Sequence, residues 1–248
     1  MPRYFIEVSY KGTNYSGFQI QQNANSIQAE IEKALKIFYK QEFELTGSSR
    51  TDTGVHASQN FFHFDCESEI EDQSYHLNAI LPSDIVIKKI FQVLPASHCR
   101  FDAVSREYTY YIYQHKDPFL QDRAYFYPYT LNINLLQNAA NELIRHNDFA
   151  TFSKRNTQVK TSLCTLFSSQ WKQEGDLLTY TVAGNRFLRG MVRGMVGTML
   201  LVGRKKITIE QFITIIQSKD CTKADFAVPP QGLFLQKVNF PALLKPVS

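Results

Sequence analysis

Residues 47–57 read Gly-Ser-Ser-Arg-Thr-Asp-Thr-Gly-Val-His-Ala and lead directly into an apolar run that starts at Gln59. The segment is polar and bracketed by glycines, which is typical of a loop, whereas the run after it has the length and composition of a strand. Catalytic residues concentrate in loops that a rigid scaffold holds. Because Arg50, Asp52 and His56 fall within seven positions, this loop is the first candidate for chemistry.

Strands and helices surround this loop on both sides. The periodicity of apolar residues predicts strands at 4–10, 59–65, 85–94, 106–115, 163–172 and 177–183, and helices at 26–39, 74–80, 134–145, 186–202 and 208–217. Ser26 is the expected N-cap of the first helix. Each half opens with a strand and later places a helix against further strands. The pattern therefore predicts an α+β fold of two similar units, residues 1–105 with the Asp52 loop and residues 106–248.

The charges of the chain are distributed unevenly. Its 248 residues contain 44% hydrophobic and 20% charged residues, which excludes a disordered or fibrous chain, and the formal net charge is only +4. Residues 65–84, however, hold six acids and no base, while residues 151–206 hold ten bases and two acids, a formal charge of +8. Such a block indicates a polyanionic partner or a solvated basic face, with Lys154, Arg155 and Lys160 as its first cations.

The predicted helix at 186–202 combines arginines with glycines. At 100° per residue, Arg186, Arg189 and Arg193 share one side of this helix, opposite its apolar side. Gly190, Gly194 and Gly197 lie on the arginine side. A glycine inside a helix costs about 1 kcal/mol, so these three indicate the close approach of another backbone or of a phosphate drawn to the arginines.

Nine aromatic residues lie between positions 108 and 129. Most of them are expected to pack in the core or across strands. A tyrosine that reaches the site, such as Tyr108, could instead stack on a nucleobase.

Neither a metal nor a cofactor is expected. The four cysteines stand alone and the six histidines are scattered, so no zinc-ligand spacing occurs. Neither glycine-rich phosphate-loop pattern is present. Because no apolar run reaches the length of a membrane span and no leader is evident, we expect a cytoplasmic protein with reduced thiols and no membrane contact.

Asp52 is the natural reacting group of the loop. Its carboxylate could act as nucleophile or base, and a guanidinium nearby would keep it ionised. The structural alternative is an aspartate that bonds its own turn backbone. Asp52-Thr53-Gly54 also matches the motif of aspartic proteases, but those sites need two such carboxylates, and the chain has no second one.

Six segments together resemble the TruA family of tRNA pseudouridine synthases. The strongest is Arg50 to Ala57, which resembles the family signature R-T-D-x-G-V-H-A. The others are Tyr10–Gln19 (Y-D-G-T-x-F-x-G-W-Q), Arg106–Tyr110 (R-x-Y-x-Y), Asp148–Phe152 (D-F-x-x-F), Asn185–Arg193 (N-x-F-L followed by M-V-R) and Pro229–Leu235 (P-x-x-G-L-x-L). These matches cover almost the whole chain.

The resemblance implies roles for individual residues. Asp52 would be the catalytic aspartate and Arg193 its ion-pair partner, Arg50 would displace or replace the flipped base, and Tyr108 would stack on the uracil. Lys154, Arg155, Lys160, Arg186 and Arg189 are assigned to substrate binding.

The resemblance also implies an architecture and a substrate. It implies two pseudo-symmetric, ferredoxin-like α/β-sandwich halves with largely antiparallel sheets flanking a central basic cleft. The protein would be a homodimer that converts uridine to pseudouridine at positions 38, 39 and/or 40 of the tRNA anticodon arm, without a cofactor.

Some positions depart from the family pattern, and two other functions stay open. Ser49, Phe18 and Gly190 stand where the family often has Gly, Trp and His. None of these changes removes a group that the chemistry needs. One alternative is a non-catalytic RNA-binding module, which would tolerate Asp52→Asn in every assay. The other is a dimeric aspartic protease, which would cleave peptides at acid pH and be indifferent to RNA.

Overall fold

The structure, a computed structural model, describes residues 1–154 and 160–241. By backbone packing the chain divides into two compact units, Met1–Ser105 together with the segment from Leu235 onward, and Arg106–Phe234. Both units combine helices with strands that pair mostly antiparallel, so the predicted α+β class is confirmed. Among the described helices, none has the length and apolarity that a bilayer crossing requires.

The first unit contains four strands and two helices before its C-terminal strand. They are β1 (Arg3–Tyr10), α1 (Ile27–Tyr39), β2 (Thr46–Gly47), β3 (His56–Asp65), α2 (Ser74–Ile80) and β4 (Ile85–Val93). Strand β1 lies between β4 and β3 and is antiparallel to both. Strand β2 pairs with the C-terminal part of β3. The predicted strands and helices of this unit are confirmed, including the Ser26 cap, whose side chain accepts from the amide of Ala29.

Apolar side chains cover both faces of this sheet. On one face, Ile6 lies between its register partners Phe62 and Ile90, and all three are buried. On the other face, the buried Phe5 ring packs beside those of Phe61 and Phe91. Helix α1 buries Ile27, Ile31, Ala34 and Leu35, one apolar stripe with helical spacing. The sheet is therefore a rigid support for the loop between β2 and β3.

The second unit repeats the mixture of strands and helices. Its elements are β5 (Ser105–Tyr113), β6 (Tyr125–Phe126), α3 (Ile133–Ile144), β7 (Leu166–Glu174), β8 (Leu177–Gly184), α4 (Met191–Gly203) and α5 (Ile209–Gln217). Strand β8 lies between β5 and β7, antiparallel to both. The last strand, β9 (Leu233–Asn239), continues into the first unit, where the Val238 amide donates to Gln59 Oε1 at 3.1 Å.

The helix predicted at 186–202 begins five residues later than expected. Gly190 is the N-cap of α4 and has φ +75°, a left-handed conformation that ends the preceding turn. Arg186 and Arg189 thus lie in the connection before the helix, and the predicted stripe of three arginines on one helical face is wrong. The prediction began too early because the apolar periodicity continues through residues 186–190, where the backbone is not helical.

The glycines of α4 make room for the protein itself. A Cβ at Gly197 would lie 2.2 Å from the backbone oxygen of Asp225, and one at Gly194 would lie 2.7 Å from the Phe226 ring. Because residues 225 and 226 pack directly against α4, a backbone at Gly197 and an aromatic ring at Gly194, and not a phosphate, occupy the space beside these two glycines.

Candidate active site

The Asp52 loop connects β2 to β3 and is fixed by backbone hydrogen bonds at both ends and in its middle. The Ser48 amide donates to Phe61 O at 2.8 Å, and the Phe18 amide donates to Thr51 O at 3.1 Å. The Val55 amide closes a turn on Asp52 O at 3.1 Å. The loop is therefore held on the sheet on each side of Asp52.

A buried polar network supports the same loop from below. Tyr10 and Thr51 share a hydrogen bond between Oη and Oγ1 of 2.8 Å. The Nδ2 of Asn60, a side chain with 0% exposure, donates to Ser49 O at 2.8 Å and to Tyr10 Oη at 3.1 Å. Sequence reasoning did not identify Asn60, because nothing in a strand sequence distinguishes an inward amide that binds a loop from one that faces solvent.

His56, the histidine of the signature, has a structural role. His56 is 1% exposed, and its Nδ1 accepts the Gly12 amide at 3.0 Å. A Cβ at Gly12 would lie 2.0 Å from Val55 O, so only glycine allows this approach. His56 and Gly12 together fix the point where the loop enters β3.

Buried and exposed side chains alternate along the loop. Ser49 and Thr51 are buried at 7% each, whereas Arg50 is exposed and Asp52 is half-buried. The anchoring side chains thus point inward, and a guanidinium and a carboxylate stand two residues apart on the accessible side. A carboxylate fixed in this way can act as nucleophile or base without first ordering its backbone.

In the second unit, Tyr108 lies on β5 and is 9% exposed. Its ring meets that of Phe187 edge to face, with centroids 4.9 Å apart. Tyr110, two residues along the strand, is fully buried, donates its hydroxyl to Pro229 O at 2.7 Å, and has its pKa raised by that burial. Tyr110 is a core residue, as expected for most of this aromatic run.

Arg193 lies in the first turn of α4 and is half-buried. Its Nε donates to Val228 O at 2.8 Å, and its Nη2 lies 3.5 Å from Phe226 O. Two backbone carbonyls therefore fix the plane of this guanidinium. The segment that meets the glycines of α4 is thus the same one that orients Arg193.

Lys154 and Arg189 come together in the second unit. The Lys154 amide donates to Arg189 O at 3.0 Å, and the Lys154 side chain passes over Gly190, where a Cβ would lie 3.0 Å from Lys154 Cγ. Arg189 and Lys160 are exposed and Arg186 is half-buried. Arg155, which was also assigned to substrate binding, lies outside the described residues.

Asp148 braces the segment that leads to Lys154. Its Oδ1 accepts from the Ala150 amide at 3.1 Å and from Ser162 Oγ at 2.6 Å, and its Oδ2 pairs with Lys219 Nζ at 2.7 Å. The hydrogen bond from Lys219, followed by that from Ser162, lowers the pKa of Asp148. The D-F-x-x-F segment thus provides an anchored turn. The sequence shows this segment only as a match to the family pattern and does not indicate its structural role.

His63 of β3 meets two consecutive residues, His98 and Cys99, that lie far from it along the chain. The Nδ1 of His63 lies 3.1 Å from Cys99 Sγ, which also donates to Thr46 O at 3.1 Å. His98 adds a ligand-type nitrogen, and the three groups lie within 4.8 Å of one another. Burial lowers the pKa of His63 to about 4. No sequence motif indicates this cluster, because His63 lies far along the chain from His98 and Cys99.

Comparison with known proteins identifies relatives over the full length. A family model described as tRNA pseudouridine synthase matches residues 6–102 and 139–241. A protein of Parabacteroides distasonis named tRNA pseudouridine synthase A is 44% identical over 251 residues, which cover 100% of both chains. Proteins with the same name from Bacteroides thetaiotaomicron and Staphylococcus aureus are 43% and 37% identical, over 97% and 95% of this chain and 91% and 90% of theirs.

Proposed function

We propose that this chain, which belongs to the tRNA pseudouridine synthase family, isomerises uridine to pseudouridine at positions 38, 39 and/or 40 of the tRNA anticodon stem-loop. As a member of that family it is an isomerase that acts on tRNA. The observation that carries the proposal is the loop that holds Asp52 and Arg50 on the accessible side of a rigid sheet edge.

The reaction breaks the C1′–N1 bond of the nucleoside and joins C1′ to C5 of the same base, while C5 loses its proton and N1 gains one, so the overall change is an isomerisation. Asp52 is the proposed catalytic carboxylate. It attacks C1′ or C6, or it removes the 2′ proton to give a glycal, and each of these routes requires the ionised form. The fixed backbone of the loop holds the carboxylate in place at the reacting sugar or base.

The uridine must leave its stack before Asp52 can reach it. Extrusion costs a few kcal/mol. Stacking on an aromatic ring offsets about 1–3 kcal/mol of this cost, and Tyr108 is the proposed ring. Arg50, exposed and two residues from Asp52, is the proposed side chain that displaces the base.

Arg193 is the proposed ion-pair partner of Asp52. Val228 O and Phe226 O support this role because they orient the guanidinium before substrate binds. An opposite charge close to a carboxylate favours its ionised form. A planar guanidinium also offers two parallel donors to the two carboxylate oxygens.

The RNA is proposed to bind in a basic cleft between two pseudo-symmetric halves. Lys154, Arg155, Lys160, Arg186 and Arg189 are the proposed phosphate contacts, and the +8 charge of residues 151–206 supports this assignment. We further propose that the anticodon arm is held by a homodimer, that no cofactor takes part, and that the protein works in the cytoplasm, where its four free cysteines stay reduced.

The proposal is tested with unmodified tRNA transcripts that carry uridine at positions 38, 39 or 40. Each is incubated with the wild-type protein or with Asp52→Asn, and pseudouridine is mapped by carbodiimide treatment and primer extension. We expect stops at these positions with the wild-type protein only, a loss of at least 10³-fold in turnover for Asp52→Asn, and unchanged tRNA binding by that variant.

Asp176→Asn is the matched control, because it removes an exposed carboxylate from the β7–β8 turn. It should leave turnover unchanged. Comparable turnover by Asp52→Asn would remove Asp52 from the mechanism. Binding of tRNA without conversion by the wild-type protein would favour the RNA-binding module, and cleavage of peptides at acid pH with no response to RNA would favour the protease.

A further inference from the structure

The first unit contains a pocket of about 280 Å³ next to the Asp52 loop. We call it the Arg100 pocket and define it by Arg50, His98, Arg100 and Phe101 on its walls and Phe18 and Gly47 at its base. Its volume lies just below the range of small-molecule pockets, about 300–1,000 Å³, and suits one nucleotide rather than a larger ligand. Arg50 links the pocket directly to the loop that carries Asp52.

A short, well-fixed turn builds the outer wall of this pocket. The His98 amide donates to Asp102 Oδ2 at 2.7 Å, the Asp102 amide returns to His98 O at 3.0 Å, and the Arg100 amide donates to His98 Nδ1 at 3.1 Å. On this turn the Phe101 ring is 74% exposed. The fixed turn thus holds the Phe101 ring where a ligand in the pocket can reach it.

The groups beside Phe101 are those that recognise nucleotides. The His98 ring centre lies 4.2 Å from that of Phe101, and the Arg100 guanidinium lies 5.7 Å from the same ring centre. Proteins bind unpaired bases by stacking them on aromatic rings and guanidinium planes and bind the linking phosphates with arginine. The wall therefore offers both a stacking surface and a phosphate ligand.

The charge of the pocket matches one phosphodiester. Arg50 and Arg100 supply two positive charges, and Glu44, which also lines the pocket, supplies one negative charge. Burial, followed by the charge of Arg3, lowers the pKa of His98, which favours the neutral ring. Because Nδ1 accepts the Arg100 amide, the ring proton is assigned to Nε2, which can donate to a base edge or to a phosphate.

We propose that the Arg100 pocket receives one unpaired nucleotide that flanks the reacting uridine, with its base against Phe101 and its phosphodiester at Arg50 and Arg100. This inference rests on the proposed function. Where the target uridine lies at the junction of stem and loop, its neighbour on the loop side is unpaired, and the pocket retains that neighbour beside the Asp52 loop. Phe101 and Arg100 are thus specificity-determining residues outside the reacting centre.

A photochemical crosslink tests the placement directly. An anticodon stem-loop RNA carrying 4-thiouridine next to the target uridine is bound to the wild-type protein, irradiated, digested and analysed by mass spectrometry. We expect the crosslinked peptide to include residues 98–101. Crosslinks confined to peptides that contain none of the pocket residues would overturn the inference.

Kinetics test the same placement with a matched pair of variants. Phe101→Ala removes the stacking ring, and Tyr75→Ala removes a ring of α2 that is 83% exposed in the same unit. We expect Phe101→Ala to raise KM for the stem-loop about tenfold with kcat nearly unchanged, Phe101→Trp to restore KM, and Tyr75→Ala to change neither constant. Arg100→Ala should raise KM and lower the salt slope of binding by about one.

The outcomes separate this inference from the proposed function. If the wild-type protein forms pseudouridine but Phe101→Ala and Tyr75→Ala have equal KM, the pocket does not receive a nucleotide. If Phe101→Ala lowers kcat and leaves KM unchanged, the ring acts elsewhere and the inference is also overturned. If the wild-type protein forms no pseudouridine on any tRNA, the proposed function itself fails.

Discussion

The residues around Asp52 show how buried neighbours position the carboxylate that we propose to be catalytic. Thr51 and Ser49 flank Arg50 and are buried, and their partners come from β1 and β3. An interior hydrogen bond that loses one partner costs more than the bond contributes, because the remaining group stays desolvated. Substitutions at these buried anchoring residues should therefore destabilise the loop, although the residues have no proposed role in the chemistry.

The bond between Thr51 and Tyr10 provides a residue-scale prediction. Thr51→Val and Tyr10→Phe each remove one side of the 2.8 Å contact without changing shape much. We expect each to lower the free energy of unfolding by about 1–2 kcal/mol. The double variant should lose less than the sum of the two, because both changes delete the same bond.

Urea unfolding measures the four free energies of this cycle. Thr53→Val, at an exposed position of the same loop, is the control and should change the free energy of unfolding by less than about 0.5 kcal/mol. Strict additivity of the two single variants would mean that the contact contributes nothing to the stability of the loop.

At the scale of elements, local pattern predicted the existence of strands and helices better than it predicted their ends. Helix α1 was predicted with its cap, because Ser26 precedes an apolar stripe with helical spacing. The start of α4 was wrong, because Leu188 and Met191 continue that spacing across Gly190, where the backbone turns left-handed. The residues of the Asp52 signature were found from sequence, but the Asn60 anchor was not, since its partners are defined only by folding.

The contact of Gly197 with Asp225 provides an element-scale prediction. In an open helix, Gly→Ala stabilises by about 1 kcal/mol. Here the added Cβ would lie 2.2 Å from Asp225 O, so the segment that orients Arg193 must move. We expect Gly197→Ala to lower the free energy of unfolding by about 1–3 kcal/mol and to lower kcat.

Thermal unfolding and single-turnover kinetics measure these two effects. Gly175→Asn is the control, because a Cβ there meets nothing within 4 Å and asparagine tolerates the φ of +58°. It should leave both stability and turnover nearly unchanged. A higher stability of Gly197→Ala would contradict this prediction, because it would show that residues 225–228 move away from the new Cβ without loss of free energy.

At the scale of the whole molecule, charge is separated between the two units. The acidic residues 65–84 belong to the first unit, and the basic residues 151–206 belong to the second. A sequence count identifies this separation without any structure. The cluster of His63, His98 and Cys99 escaped the same kind of reading, because a fold brings its members together while their spacing along the chain carries no motif.

The separation of charge predicts which lysines set the salt dependence of tRNA binding. Lys154 and Lys160 lie in the basic block, and each phosphate contact contributes about one to the slope of log K against log salt. Lys154→Ala with Lys160→Ala should therefore lower the slope by about two, measured by tRNA binding between low and moderate salt. Lys88→Ala with Lys89→Ala removes the same charge from β4 and should leave the slope unchanged, because these exposed lysines belong neither to the basic block nor to the proposed phosphate contacts. Equal slopes for both double variants would show that the RNA does not contact the basic block. A lower slope for the Lys154 and Lys160 variant alone would assign phosphate contacts to the basic block.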